Sequence, residues 1–301
     1  MVKEITFYLL KLMNKNMIYS DKTYLITGGA GFLGNQLIKR LKENGCTNIV
    51  TISRNEGQLI SLKEKHPHVK IVPGDISDPY CAEKVIQGVD GIFHLAAFKH
   101  VGLAETNVRE CVFGNVVGTL NFLELTRKYP IDFILGISTD KAAQVSGVYG
   151  ATKLLHERLF LDYEKMNTST KYRTVRYGNV LYSTGSVLCK WKDRILNDEE
   201  LIITDPKATR FYWSIDQAID LIFDCLKNAK DSSPYVPEMK SMAVGDLLEA
   251  MISKYMPKGN LKKVKEIGLQ PGENLHEIII EGGPSSFDVE RYTIEEIMEL
   301  V

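Results

Sequence analysis

A glycine run near the start of the chain constrains the fold more than any other feature of the sequence. Gly28, Gly31 and Gly34 are spaced three residues apart, after a short apolar stretch at Thr23 to Thr27 and before a segment with helical periodicity. Glycines at this spacing permit a tight strand-to-helix turn and let the backbone approach a pyrophosphate at the helix N-terminus. The run therefore predicts a dinucleotide-binding unit at the beginning of the fold.

Apolar strands then alternate with helical segments along the first 180 residues. The predicted strands after the first are Asn48–Ser53, Val69–Val72, Gly91–Ala97 and Phe133–Ile137. This alternation predicts an α/β fold with a doubly wound parallel sheet. It weakens after Tyr177, so we expect residues 21–180 to bind the dinucleotide and 181–301 to form a smaller substrate-binding lobe, with some later segments returning to the first domain. Residues 1–20 would be an N-terminal extension.

Composition excludes several classes of protein. The net charge of -1 gives no basic surface for nucleic acid. The five cysteines are scattered and form no CxxC pair, and the six histidines lack metal-ligand spacing, so neither a disulfide framework nor a metal site is expected. Because we find no membrane-spanning run and no signal-peptide pattern, a cytoplasmic protein is the default expectation.

A polar cluster, Ser138 to Lys141, follows the buried strand Phe133–Ile137. Open α/β sheets bind their ligands at such carboxyl ends of strands. Tyr149 and Lys153 are four residues apart and would share one face of a helix, where the lysine would lower the pKa of the phenol. Asp140 and Lys141 would add a second acid–base couple. Two couples indicate a reaction with more steps than a simple dehydrogenation needs.

The end of the second predicted strand bears on the choice of cofactor. An NAD site usually carries an acidic residue there to hold the ribose 2′-hydroxyl. Ser53 and Arg54 stand there instead, and they suit a 2′-phosphate, so NADP is favoured. The alternative is that Arg54 is a solvated surface charge and the cofactor is NAD. Asp75, after the third strand, would contact the adenine or serve only as a turn residue.

The glycine run, Tyr149 and Lys153 together resemble the extended, sugar-nucleotide-modifying branch of the short-chain dehydrogenase/reductase superfamily, which has a Rossmann-type fold. Further motifs are similar to those of the UDP-N-acetylglucosamine 4,6-dehydratase family of capsule and flagellin-sugar biosynthesis. These motifs are Ala96–Val101, Glu105–Asn107, Ser138–Ala142, Tyr149–Lys153, Arg176–Val180, Gly185–Val187, Ile203–Asp205, Thr209–Phe211 and Pro271–Glu277. The Thr139-Asp140-Lys141 triplet is the specific part, because the related UDP-glucose and dTDP-glucose dehydratases usually carry Asp-Glu there.

The resemblance implies a reaction as well as a fold. Hydride would leave sugar C4 for the cofactor while Tyr149 accepts the O4 proton, and a neutral Lys141 would then abstract the C5 proton. The nearby charge of Lys153 and partial burial would lower the pKa of Lys141. Asp140 would protonate the departing C6 hydroxyl before hydride returns to C6. The alternatives are a UDP-sugar epimerase or 4-reductase of the same superfamily, or a non-catalytic NADP-binding regulatory protein.

The resemblance also implies which residues form the site. Thr139, Asp140, Lys141, Tyr149 and Lys153 would be catalytic, and Asn115 would be a scaffold residue. The cofactor would contact Gly28, Gly31, Phe32, Leu33, Gly34, Ser53, Arg54, Asp75, Ile76, Ala96, Lys99, Tyr149, Lys153 and Val180. The substrate would contact Lys99, Asn179, Ser186, Arg210 and Glu273. Relatives imply a homo-oligomer, a dimer or a hexamer, that makes a UDP-4-keto-6-deoxy sugar for glycan biosynthesis, and retention or inversion at C5 is left open.

Overall fold

Six parallel strands form the central sheet of the protein. A computed structural model describes residues 20–167, 169–256 and 263–301, so only residue 20 of the predicted N-terminal extension is among them. The strands in chain order are β1 (Tyr24–Thr27), β2 (Ile49–Ser53), β3 (Lys70–Pro73), β4 (Gly91–His94), β5 (Phe133–Thr139) and β6 (Lys171–Tyr177). Their order across the sheet is β3-β2-β1-β4-β5-β6. This order confirms the predicted doubly wound, Rossmann-type sheet.

Helices cover both faces of the sheet. They are α1 (Phe32–Glu43), α2 (Glu56–Lys65), α3 (Pro79–Ile86), α4 (Val101–Thr106), α5 (Val108–Val112), α6 (Gly118–Lys128) and α7 (Val148–Met166). A π-helical turn, Phe113–Val117, joins α5 to α6, and a 3₁₀ turn, Asp140–Ala142, follows β5. One buried cluster includes side chains of α1 and α2, and a second includes those of α3, α6 and α7. Side chains of β1 alternate between the two clusters, as a strand buried on both faces requires.

The later part of the chain adds short strands and further helices. They are β7 (Asn179–Val180), α8 (Val187–Leu196), β8 (Leu201–Ile203), β9 (Thr209–Trp213), α9 (Ile215–Asn228), β10 (Ser241–Ala243), α10 (Val244–Tyr255), β11 (Val264–Glu266) and α11 (Ile294–Leu300). Helix α9 packs against α1 and joins the cluster on that face of the sheet. A third cluster holds α8, α10 and α11 together. Within the described ranges, no helix has the length and apolarity needed to cross a membrane.

Strand β6 was not predicted, because its sequence is not an apolar run. Arg173 and Arg176 lie within it, yet both are buried. Arg173 pairs with Glu164 at 3.2 Å, and Arg176 pairs with Glu157 at 2.6 Å, both acceptors lying on α7. Charged groups are buried at acceptable cost when they are paired in this way. Because these partners lie nine and nineteen positions away on another element, local hydrophobicity alone does not reveal the strand.

Candidate active site

The turn between β1 and α1 has the geometry of a phosphate-binding loop. Gly28 has a φ of +69°, and a side-chain carbon at Gly34 would lie 2.4 Å from the Cα of Gly29. The turn is therefore too tight for a larger residue at Gly34. Gly31 is the N-cap of α1 and offers no side-chain cap, so the first amide groups of this helix are left to an anion. These features fit the diphosphate of a dinucleotide.

The ends of β2 and β3 meet beside this turn. Arg54 is 64% exposed, and its Nη1 lies 3.7 Å from Oδ2 of Asp75. Asp75 also accepts hydrogen bonds from the amide and hydroxyl of Ser77, at 2.9 and 2.8 Å. A 2′-phosphate bound by Arg54 would therefore lie near the carboxylate of Asp75, and the two negative charges would repel each other. NADP stays a prediction, with NAD as the alternative.

The predicted acid–base couple lies where β5 ends. Asp140 begins the 3₁₀ turn and is fully buried. Its Oδ1 accepts a hydrogen bond from Thr139 at 2.8 Å and another from Nζ of Lys141 at 3.0 Å. Its Oδ2 has no hydrogen-bond partner. Asp140 and Lys141 therefore form a buried ion pair in which one carboxylate oxygen is left over for another donor.

The charge on Lys141 differs from the expectation. Burial acts to lower the pKa of Lys141, but the carboxylates of Asp140 and Glu277 outweigh it and hold this pKa above the ordinary lysine value. The prediction that the charge of Lys153 and partial burial lower the pKa of Lys141 is wrong for this arrangement. The reason is a second carboxylate beside Lys141, which no local motif could predict.

That second carboxylate comes from the C-terminal part of the chain. Glu277 is fully buried, and its Oε1 lies 3.4 Å from Nζ of Lys141 and 3.8 Å from Nε of Arg210. Arg210, on β9, also donates to the carbonyl of Leu275 at 3.0 Å. Sequence analysis placed Arg210 at the substrate but gave Glu277 no role. The only available signal was its place in the Pro271–Glu277 motif.

Tyr149 and Lys153 both project from the first turns of α7 but have different surroundings. Gly150 allows this helix to approach β5 closely, since a side-chain carbon there would meet the carbonyl of Lys141 at 2.4 Å. Burial raises the pKa of Tyr149 to about 12, and the cation that opposes this rise is Lys141. We predicted that Lys153 would lower the pKa of this phenol, but the cation that acts on it is Lys141.

Lys153 instead faces the interior of the protein. Burial lowers its pKa to about 8, against an opposing attraction from Glu157. Two buried imidazoles, of His94 and His156, feel its charge, and burial together with that charge lowers the pKa of His94 to about 3. The pKa of Lys153 is thus lowered, whereas that of Lys141 is raised.

A hydrogen-bonded chain connects these two histidines, which their lowered pKa values make neutral. The Thr119 hydroxyl donates its single proton to the Asn115 carbonyl at 2.7 Å. It must then accept from both His94 Nε2 and His156 Nδ1, each 3.0 Å away. Because His94 is neutral and donates from Nε2, its Nδ1 accepts from the Thr27 hydroxyl at 3.0 Å. These hydrogen bonds, which were not predicted from the sequence, hold α6 and α7 against the sheet.

Asn115 occupies the scaffold position expected of it. It is buried in the π-helical turn, where its side chain accepts from the amide of Phe98 at 2.7 Å and donates to the carbonyl of the same residue at 2.9 Å. It also donates to the Thr152 hydroxyl at 3.0 Å. Asn115 therefore ties the loop after β4 to the helix that carries Tyr149 and Lys153.

Of the remaining predicted residues, Lys99 and Glu273 make hydrogen bonds between or within loops. Lys99 donates to the carbonyl of Thr184 at 2.9 Å, which links the loop after β4 to the loop after β7. Glu273 accepts from the amide of Gln270 at 3.0 Å and so holds its own turn. Ser146 and Glu105 secure that turn and the start of α7, through bonds with the Gly272 carbonyl at 3.0 Å and the Val148 amide at 2.7 Å.

Other predicted positions lie close to the glycine turn or to β9. Ala96 approaches Gly28, Ile76 packs against Gly118, and Asn179 and Val180 pair with β9 through Tyr212 and Trp213. Phe32, Leu33 and Ser186 lie at helix N-termini, the first two in α1 and the third as the N-cap of α8. Among the residues that the structure describes, no group of three histidine, cysteine or acidic side chains could hold a metal ion.

Comparisons with known proteins agree with this geometry. The family model described as "Polysaccharide biosynthesis protein" matches residues 24–299. A protein of Methanocaldococcus jannaschii named "Uncharacterized membrane protein MJ1061" is 37% identical over 94% of this chain and 85% of its own length. The inverting UDP-N-acetylglucosamine 4,6-dehydratase of Campylobacter jejuni serotype O:2 is 33% identical over 91% of this chain and 83% of its own.

A second kind of relative and a solved structure also match. The UDP-glucose 4-epimerase of Rickettsia canadensis is 30% identical over 87% of this chain and 79% of its own length. The crystal structure titled "Pen from Bacillus thuringiensis" superposes with a TM-score of 0.84 at 30% identity, covering 88% of this chain and 82% of that one. The matches therefore include a dehydratase and an epimerase, both acting on nucleotide sugars according to their names.

Proposed function

The chain belongs to the polysaccharide biosynthesis protein family, and from that premise we propose that it is a UDP-N-acetylglucosamine 4,6-dehydratase. One observation carries the proposal: a buried carboxylate and a mostly buried amine, Asp140 and Lys141, contact each other at 3.0 Å beside the phenol of Tyr149. Elimination of water needs a base and an acid at neighbouring carbons, in addition to the group that serves O4. This site offers all three.

The ion pair of Asp140 and Lys141 is one proton away from the form that the elimination needs. Transfer of a proton from Nζ of Lys141 to Asp140 gives a neutral amine and a protonated carboxyl, with no change in net charge. Loss of hydration favours this neutral form, whereas the charge of Glu277 beside Lys141 favours the ion pair. Once formed, the amine takes the C5 proton and the carboxyl protonates the leaving C6 hydroxyl. These two transfers restore the ion pair.

Tyr149 serves the O4 proton in this proposal. Burial raises its pKa to about 12, while the charge of Lys141 and a hydrogen bond with Thr139 favour its anion. A bound nicotinamide dinucleotide, NADP or NAD, would supply the hydride acceptor and donor for C4 and C6. The glycine turn and the uncapped N-terminus of α1 would hold its diphosphate.

We further propose that residues 181–301 form the lobe that binds the UDP group. Arg210 has a guanidinium suited to phosphate oxygens, and its present contacts with Glu277 and the Leu275 carbonyl keep it oriented. Asn179 and Glu273 would hold the remaining polar groups of the nucleotide. Lys99 would act at the junction of cofactor and substrate, where it already contacts the Thr184 carbonyl.

The proposal is tested by incubating the purified protein with UDP-N-acetylglucosamine and either dinucleotide. We expect a product lighter by one water, with a 4-ketone visible by NMR. In deuterated water the product should carry deuterium at C5, and its configuration reports retention or inversion there. Lys141→Ala should abolish product formation, whereas Lys39→Ala, an exposed change on α1, should leave it intact. A substrate of unchanged mass would reject the dehydratase.

A UDP-sugar 4-epimerase is the second candidate, because relatives of that name match the chain at 30% identity. Epimerisation at C4 moves a hydride and the O4 proton but requires no acid for a leaving group. The Asp140–Lys141 couple would then be dispensable. A product of unchanged mass with inverted C4, made equally well by Lys141→Ala, would favour the epimerase.

A further inference from the structure

Glu277 is held in place by hydrogen bonds of its backbone and of its side chain. Its amide donates to the Ser286 hydroxyl at 2.9 Å, and its carbonyl accepts from the Ser286 amide at 2.7 Å. Its Oε2 accepts a hydrogen bond from Asn274 at 3.2 Å, whereas Oε1 has no hydrogen-bond partner. The carboxylate is fully buried, and a buried charge requires compensation by other charges.

That compensation comes from two cations of the proposed proton-transfer site. Oε1 of Glu277 lies 3.4 Å from Nζ of Lys141 and 3.8 Å from Nε of Arg210. With Asp140, the cluster holds two negative and two positive groups and is electrically balanced. If Lys141 passes its proton to Asp140, the pair of Glu277 and Arg210 stays balanced by itself. The cluster thus consists of one couple that exchanges a proton and one that does not.

We propose that Glu277 is a positioning residue that sets how readily Lys141 gives up its proton. The inference rests on the proposed function, because it gives Lys141 a proton to exchange. A negative charge next to the ammonium favours the charged form, and Glu277 supplies this charge from outside the strand-end motif that holds Asp140 and Lys141. It thereby keeps the ion pair as the resting state and aligns the amine. Because Glu277 also pairs with Arg210, its effect on Lys141 is weaker than that of an unshared carboxylate.

Lys141 faces charged or titratable groups on four elements of the protein. They are Asp140 on the 3₁₀ turn, Tyr149 on α7, Arg210 and Tyr212 on β9, and Glu277 on the C-terminal segment. Replacing Glu277 by glutamine removes one of the two carboxylates and leaves Arg210 uncompensated. Both changes act in the same direction and lower the pKa of Lys141.

The first test measures Lys141 directly and does not depend on turnover. Competitive labelling with acetic anhydride, read by peptide mass spectrometry, reports the neutral fraction of Lys141 at each pH. At a pH below the titration of Lys141, Glu277→Gln should raise this fraction at least tenfold, which equals a fall of about one pKa unit. Glu277→Asp should keep it near that of the wild type, because the charge is retained. Glu299→Gln, an exposed change on α11, is the matched control.

The second test is the pH profile of product formation. The Asp140–Lys141 pair works with one proton between its two members, so its activity should follow a bell-shaped curve. Glu277→Gln should move both limbs of the bell toward acid, with Glu277→Asp and Glu299→Gln leaving them in place. Circular dichroism checks that each variant is folded. If the glutamine variant is not, Arg210→Gln serves instead, because it leaves Glu277 to act on Lys141 alone and should lower the neutral fraction of Lys141.

The two tests separate the two claims. If labelling of Lys141 is the same in Glu277→Gln as in the wild type, the role of Glu277 is refuted, whatever the enzyme does. If labelling shifts as expected but the wild-type protein releases no dehydrated product, the coupling stands and the proposed function fails. A shifted labelling curve with an unmoved bell would overturn the claim that Glu277 governs the proton used in turnover.

Discussion

Arg176 on β6 connects the sheet to the segment that carries Glu277, and its replacement by methionine should destabilise the protein strongly. The guanidinium is 1% exposed and donates to both carboxylate oxygens of Glu157, at 2.9 and 2.6 Å. It also donates to the carbonyl of Ile279 at 2.9 Å and to Glu281, whose side chain is 53% exposed. Arg176 therefore neutralises one buried carboxylate and anchors the chain two residues beyond Glu277.

The magnitude follows from the burial of each partner. Removing one member of a buried ion pair costs about 3–5 kcal/mol, because the other charge is left uncompensated. The pair with Glu281 is half exposed and adds less than ~1 kcal/mol. We therefore expect Arg176→Met to lower the free energy of unfolding by about 4 kcal/mol. Replacing both partners by methionine should recover most of this loss, since no unpaired charge then remains.

Urea denaturation followed by tryptophan fluorescence measures these differences, with Trp191 and Trp213 as buried reporters. The coupling energy of the cycle for Arg176 and Glu157 should be at least ~2 kcal/mol. Arg127→Met is the matched control, because Arg127 and Glu124 are each 54% exposed at 3.5 Å and should contribute less than ~1 kcal/mol. A loss below ~1.5 kcal/mol for Arg176→Met, or strictly additive effects in the cycle, would refute the reasoning.

Two further predictions concern the glycine turn and the buried lysine. Gly34→Ala places a carbon 2.4 Å from the backbone of Gly29 and should lower the free energy of unfolding by about 1–3 kcal/mol. It should also weaken dinucleotide binding in a titration. Gly57→Ala is the control, because its added carbon meets no atom closer than 3.5 Å, and it should change neither quantity. Lys153 has a pKa of about 8 when folded, below its unfolded value, so the unfolded state holds more protons between these values and stability rises with pH. Relative to Lys153→Met, the wild type should gain about 2 kcal/mol between pH 8 and pH 10 in urea denaturation, and a flat difference would contradict the burial of this lysine.

The helices and strands that were foreseen share a local signal. Strands β1 to β5 are apolar runs bounded by turn residues, and α1 has its apolar side chains on one face, so each was located to within a few residues. Strand β6 was missed, since its two arginines are buried through partners on α7 rather than through their own hydrophobicity. Prediction failed where burial depends on a residue distant in sequence.

The same distinction applies to the candidate site. Asp140, Lys141 and Tyr149 come together because one strand end and the following helix carry all of them, which a reading of local motifs can anticipate. Glu277 comes from more than a hundred positions later and is visible only once the chain has folded. The protonation of Lys141 was misjudged for that reason, as an electrostatic environment sums charges over all neighbours in space.

The sequence by itself determined the α/β class, the glycine turn and the proximity of Asp140 and Lys141, because each depends on residues within a few positions of one another. Only the tertiary structure decided which charges surround that couple, how β6 is buried and why Lys153 faces two neutral histidines. These depend on contacts between separate elements, because the distance from a lysine to the nearest carboxylate decides whether its pKa is raised, as in Lys141, or lowered, as in Lys153.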